Sequence, residues 1–182
     1  MLSTLLVLTG LSAGGTAAAD VGTVAHDVLR TGWDNNENVL SPSSVASSTF
    51  GRLFSTAVDG QVYAQPLVVG GTVIAATENN FAYGLDSATG TTKWVRPLGP
   101  AWPASTVSCG DLTPNIGITS TPVFDPATKS VFMLAKTNDG ASPQLPHWYM
   151  HSLDLVTGLS GPGSRSSSAA HRRTTRHARS TP

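Results

Sequence analysis

The chain has 182 residues, enough for one domain of ordinary size, and its 12% charged residues and 18 glycines suit a turn-rich β protein rather than a disordered or coiled-coil one. Its formal net charge of zero joins two unlike parts: residues 1–158 hold all 11 acidic residues, whereas the last 24 residues hold Arg165, Arg172, Arg173, Arg176 and Arg179 and no acid.

Residues 1–19 read as a secretory signal. Residues 2–11 form an apolar core too short to span a bilayer, and Ala17-Ala18-Ala19 before Asp20 is a small-residue cleavage site, although no Lys or Arg precedes the core. The expected location is therefore secreted or periplasmic. No other run is long enough for a membrane helix, so no membrane span is expected. Residues 20–60 form a lead-in. Within it, residues 21–30 favour neither helix nor strand, Ser41-Pro42 is a helix start that can extend only a turn or two, and residues 50–57 should be an extended strand.

Residues 61–96 read as a complete antiparallel β unit. Residues 61–69 are rich in β-branched and aromatic residues, Gly70-Gly71 supplies the positive φ of a tight turn, and residues 72–77 resume the strand pattern. After the Glu78-Asn79-Asn80 turn, residues 81–85 form a third strand, residues 86–90 a polar corner and residues 91–95 a fourth. Four short strands in about 35 residues match one blade of a β-propeller.

Residues 97–103 carry three prolines and form a loop that Trp102 should pin to apolar surface. Cys109 is the only cysteine. In an exported chain it has a partner elsewhere, has lost one, or acts as a small buried apolar residue; its role stays open. Residues 117–158 repeat the first unit, with strands at 123–124, 131–135 and 147–155 and a turn at 125–129. His147 and His151 fall on one face of the last strand about 13 Å apart, too far to share a metal ion.

The recurrence is explicit. Gln65-Pro66-Leu67-Val68 is echoed by Thr121-Pro122-Val123-Phe124, and Leu85-Asp86-Ser87-Ala88-Thr89-Gly90 by Leu153-Asp154-Leu155-Val156-Thr157-Gly158. Asp86 can accept hydrogen bonds from the amides of its own turn, Gly90 tolerates a left-handed backbone, and Trp94 offers a flat face to a neighbouring blade. Leu-Asp-x-x-Thr-Gly-x-x-x-Trp at residues 85–94 resembles the pyrroloquinoline-quinone (PQQ) repeat, the blade unit of quinoprotein-like β-propellers. The lead-in from Thr31-Gly32-Trp33 to Phe54 resembles the start of the same family. The expected fold is thus all-β, a partial propeller of four-stranded antiparallel blades at 61–96 and 117–158 that cannot close a ring alone. One side of Trp94 and the inner strand edges should remain bare, inviting self-association or protein partners.

The second copy has no Trp four residues after its Gly. Residues 159–182, rich in Ser, Arg, His, Ala and Pro, should be a disordered basic tail. A tail for nucleic acid and a frame-shifted product are both readings of that composition; the second is favoured and no nucleic-acid partner is expected.

The resemblance implies that a full-length parent could hold PQQ and calcium, as an alcohol or sugar dehydrogenase. No adjacent Cys-Cys pair is present, and no calcium ligand or catalytic Asp maps onto this sequence. Asp59, Asp86, Asp111, Asp125, Asp139 and Asp154 all read as turn residues. No catalytic residue, metal ligand or cofactor is expected for this chain, and its cofactor-binding residues are unknown. Enzymatic activity stays open, the balance being against it. The chain reads as a truncated, exported scaffold for binding or assembly in the cell envelope, or a remnant without a function of its own; the alternative is the N-terminal fragment of a PQQ- and calcium-dependent oxidoreductase.

Overall fold

The computed structural model describes residues 20–107, 110–161, 164 and 166–167. The expected signal segment (1–19), Cys109 and most of the expected tail lie outside the described residues.

Among the described residues, the chain forms two four-stranded antiparallel sheets and a two-stranded ribbon between them. The first has the order β1 (Leu67–Val69), β2 (Thr72–Ala76), β3 (Phe81–Asp86), β4 (Thr92–Pro97). Gly70 and Gly71 turn between β1 and β2 with φ of +52° and +71°, which only glycine adopts freely, so Val69 pairs directly with Thr72. The second sheet follows after a two-stranded ribbon of β5 (Trp102–Pro103) and β6 (Asn115–Ile116). It comprises β7 (Val123–Asp125), β8 (Ser130–Thr137), β9 (His147–Asp154) and β10 (Ser166–Ser167), again in consecutive order. Consecutive antiparallel strands in two successive sheets are the blades of a partial β-propeller.

The sheets lie face to face over one core. Alternation puts Leu67, Ile74, Ala82 and Trp94 on one face of the first sheet, and they share a buried cluster with Val131, Met133, Ala135 and Leu153 of the second. The opposite face of the first sheet buries Ala75, Tyr83 and Leu85 against Val58 of the lead-in.

Several sequence expectations require correction. Only Leu67–Val69 of residues 61–69 is a strand, because the preceding residues bond to loops: Gln61 O accepts from Glu78 N at 2.9 Å, and Gln65 N donates to Thr121 Oγ1 at 3.1 Å. Residues 50–57 are not a strand, since no neighbouring strand pairs with them among the described residues. Trp94 is not half bare but 6% exposed. The inner edges of both sheets are partly covered: Val21 pairs with Val68 of β1 in an isolated bridge, and Gly22 O accepts from Phe124 N of β7 at 2.8 Å. The second sheet extends past residue 158, because β10 pairs with Met150 and Tyr149 and Ser160 bridges to Leu153.

Other expectations hold. Ser41 caps a single helical turn, α1 (Pro42–Val45), and its hydroxyl accepts from Ser44 N while Ser44 Oγ accepts from Ser41 N. Trp102 is buried with Ala104 and Ile116, and its indole N–H donates to Pro143 O.

Candidate functional site: the junction between the sheets

Each sheet presents an Asp-x-x-Thr-Gly corner before its outer edge. In the first, Asp86 Oδ1 accepts from Ala88 N and Thr89 N, both at 3.0 Å, and from Thr89 Oγ1 at 3.1 Å. In the second, Asp154 Oδ1 accepts from Val156 N at 3.1 Å, Thr157 N at 2.8 Å and Thr157 Oγ1 at 2.7 Å. Gly90 and Gly158 close the corners with φ of +73° and +64°. The backbone bonds repeat as well: Gly90 N to Asp86 O and Gly158 N to Asp154 O are both 2.8 Å. The Thr89 backbone N–H chiefly holds the Asp86 carboxyl below its ordinary range, and the Thr157 hydroxyl chiefly does so for Asp154.

These corners are where the sheets join. Trp94, on β4, lies between Gly84 of its own sheet and Gly158 of the next, in space that a Cβ at either glycine would enter. Its Nε1 donates to Leu155 O at 3.0 Å. Two residues on, Arg96 Nε donates to Gly158 O at 2.8 Å and Nη2 to Thr157 O at 3.0 Å. An aromatic face and a planar guanidinium thus read the backbone of the second corner.

A second junction lies at the β2–β3 turn. Glu78 and Asn80 are both fully buried. Glu78 Oε2 accepts from Gly117 N at 2.6 Å and Thr119 Oγ1 at 3.0 Å, and Asn80 Nδ2 donates to Lys136 O at 2.7 Å. Both side chains tie the first sheet to the approach and middle of the second. The Lys136 ammonium stands 3.3 Å over the Trp102 ring and 5.1 Å from that of Trp148, and desolvation lowers its pKa. Beside the inner strands, lead-in residues including Gly22, His26 and Val28, with Val123, Phe124 and Pro126, line an open cleft of about 480 Å³.

The six aspartates read from sequence as turn residues lie apart from one another. Asp86, Asp125 and Asp154 each accept from their own turns, Asp59 Oδ1 accepts from Asn79 at 2.8 Å, and Asp139 accepts from Thr137 and pairs with His147 at 3.0 Å. Asp111 contributes its carbonyl to Tyr63 Oη at 2.9 Å. His147 and His151 do share a face, and the Tyr149 ring stands between them with centroids 5.9 Å and 6.4 Å away. Among the described residues no three His, Cys, Asp or Glu side chains are grouped to hold a metal. These carboxylates are spread over separate turns.

Sequence reasoning missed Glu78 and Arg96. Arg96 was legible in principle, two residues after the Trp and so on its face of β4. Glu78 carried no local signal beyond being a turn acid.

No protein-family model matches the chain, and no curated protein matches it. Among solved structures, the crystal structure of BamB from Moraxella catarrhalis is similar at 21% identity and a TM-score of 0.39, over 59% of this chain and 25% of that one. The chain thus spans a quarter of that protein's length. The fold assignment rests on the two sheets and their repeated corners, not on this likeness.

Proposed function

We propose that the chain is part of an exported PQQ-like β-propeller acting as a non-catalytic binding or assembly scaffold in the cell envelope. One observation carries this reading: three carboxylates act as fasteners, Asp86 and Asp154 within corners and Glu78, through Oε2, between sheets. What remains available is surface for another protein, including Trp148 and Met150, 38% and 39% exposed on β9. The change in composition after Gly158 supports a frame-shifted end, which the coding DNA read in all three frames would show as propeller sequence resuming downstream.

The cofactor side is tested by adding PQQ and calcium to the purified chain. A ligand that prefers the folded state raises the melting temperature. No rise and no bound quinone absorbance are expected; a rise of several degrees with retained quinone would replace the scaffold reading with the oxidoreductase one. Export is tested by N-terminal sequencing of the chain from the envelope or medium, where a start at Asp20 is expected and an intact Met1 in the cytoplasm would refute it.

A further inference from the structure

Residues 50–57 make toward the first sheet the contacts that β4 makes toward the second. The Phe54 ring occupies the space a side chain at Gly90 would need, as the Trp94 ring does at Gly158. Two residues on, Thr56 Oγ1 donates to Gly90 O at 2.7 Å, matching Arg96 Nε to Gly158 O at 2.8 Å. Both glycines end the same corner motif in the same left-handed conformation. Residues 50–57 therefore stand where the fourth strand of a preceding sheet would stand, with no ladder partner of their own among the described residues.

The second sheet's own fourth strand is short among the described residues. The second sheet's fourth position is filled by β10, which makes two register pairs, and by the single Ser160 bridge. The register places Ser152 of β9 where β3 has Gly84, each two residues before its corner Asp and paired with Phe132 and Ile74 respectively. Gly161, without a side chain, approaches Ser152 where Trp94 covers Gly84. The same face carries Phe132, Leu134 and Met150, none of them buried, whereas its counterpart in the first sheet is packed on the second. Among the described residues, the N-terminal side offers an unpaired segment in a fourth-strand position, and the second sheet's own fourth strand is only the short β10.

We propose that copies of this chain assemble head to tail. Residues 50–57 of one copy pair with β9 of a second copy in place of β10, and Phe54 sits between Gly90 of its own copy and Ser152 of the second copy. The inference rests on the propeller reading above and continues its observed junction across copies. Such an interface is heterologous and can close: rings of about four to eight blades correspond to about two to four two-sheet units. A donated strand gives affinity through backbone hydrogen bonds and specificity through the alternate side chains.

The experiment measures mass by light scattering for the full chain and for Phe54→Asp and Met150→Asp, which block the donating and receiving ends separately. The wild-type chain is expected to form species of two or more copies that dissociate on dilution. Each variant alone should be monomeric, and their equimolar mixture should give one-to-one dimers, since each retains the end the other lacks. A wild-type monomer at all concentrations, variants that still assemble alone, or a mixture that stays monomeric would overturn the proposal. Near-ultraviolet circular dichroism of the wild-type chain against Trp94→Phe separates the two readings. A monomer with a Trp94-dependent signal overturns the assembly alone, whereas a wild-type chain without that signal overturns the propeller reading.

Discussion

Trp94 and Gly158, 64 positions apart in the sequence, lie in contact across the boundary between the two sheets, and the glycine's missing side chain is what makes the contact possible. The indole is buried there while its N–H reaches the carbonyl of Leu155. The corner therefore serves two purposes, turning its own chain and receiving its neighbour.

Gly158→Ala should accordingly be costly. It adds a Cβ against the Trp94 ring and forces a non-glycine residue to a φ of +64°. Backbone strain of about 1–3 kcal/mol and overpacking of about 1–3 kcal/mol act together. Gly51→Ala, with nothing within 4 Å, is the control and should shift the urea midpoint little. Equal midpoints for the two variants would show that the junction does not bear on stability.

Trp94→Phe keeps an aromatic face but removes the donor to Leu155 O and part of the buried ring. A loss of about 1–3 kcal/mol is expected from the carbonyl left without its donor, plus a packing cost for the smaller ring. Equilibrium unfolding with an exposed control such as Trp33→Phe checks it, because Trp33 is 70% exposed and should contribute little.

Glu78→Ala removes the acceptor that the buried Gly117 N–H and the Thr119 hydroxyl share. A buried donor left without an acceptor costs about 1–3 kcal/mol, and the vacated volume adds to it. A change under about 0.5 kcal/mol in urea unfolding would show that Glu78 does not fasten the sheets.

The corner carboxyls set an acid dependence. Asp86 and Asp154 are held below their ordinary value of 3.8 in the folded chain, so there the folded state binds fewer protons than the unfolded one. Their contribution is complete above that value and is lost as pH falls through the lower folded values. The melting temperature should therefore fall between about pH 5 and about pH 2, and Asp154→Asn should lower it near neutrality while flattening the acid slope. An unchanged slope in Asp154→Asn together with Asp86→Asn would exclude the corners as its source.

The local devices were legible because their partners are near in sequence. Asp86 and Asp154 bond two or three residues ahead, Gly70-Gly71 forms its turn from its own φ angles, and Ser41 caps its helix through the amide three residues on. Strand limits were less legible where the chain bonds to distant loops. Gln61 and Gln65 look like strand residues, yet their bonds go to Glu78, Thr113 and Thr121. Phe54 likewise has strand character but no strand pairs with it among the described residues.

The amino-acid order alone determined two blade-like units, their corners and the aromatic that could join them, since each depends on backbone conformation and on hydrogen bonds spanning a few residues. Only the tertiary structure decided that Trp94 is buried against Gly158, that Glu78 faces Gly117, that Phe54 repeats the same docking one sheet earlier, and that Val21 lies along β1. Those contacts bridge tens of residues, and stacking one sheet on the next brings them together, through apolar burial and close packing that no local pattern encodes.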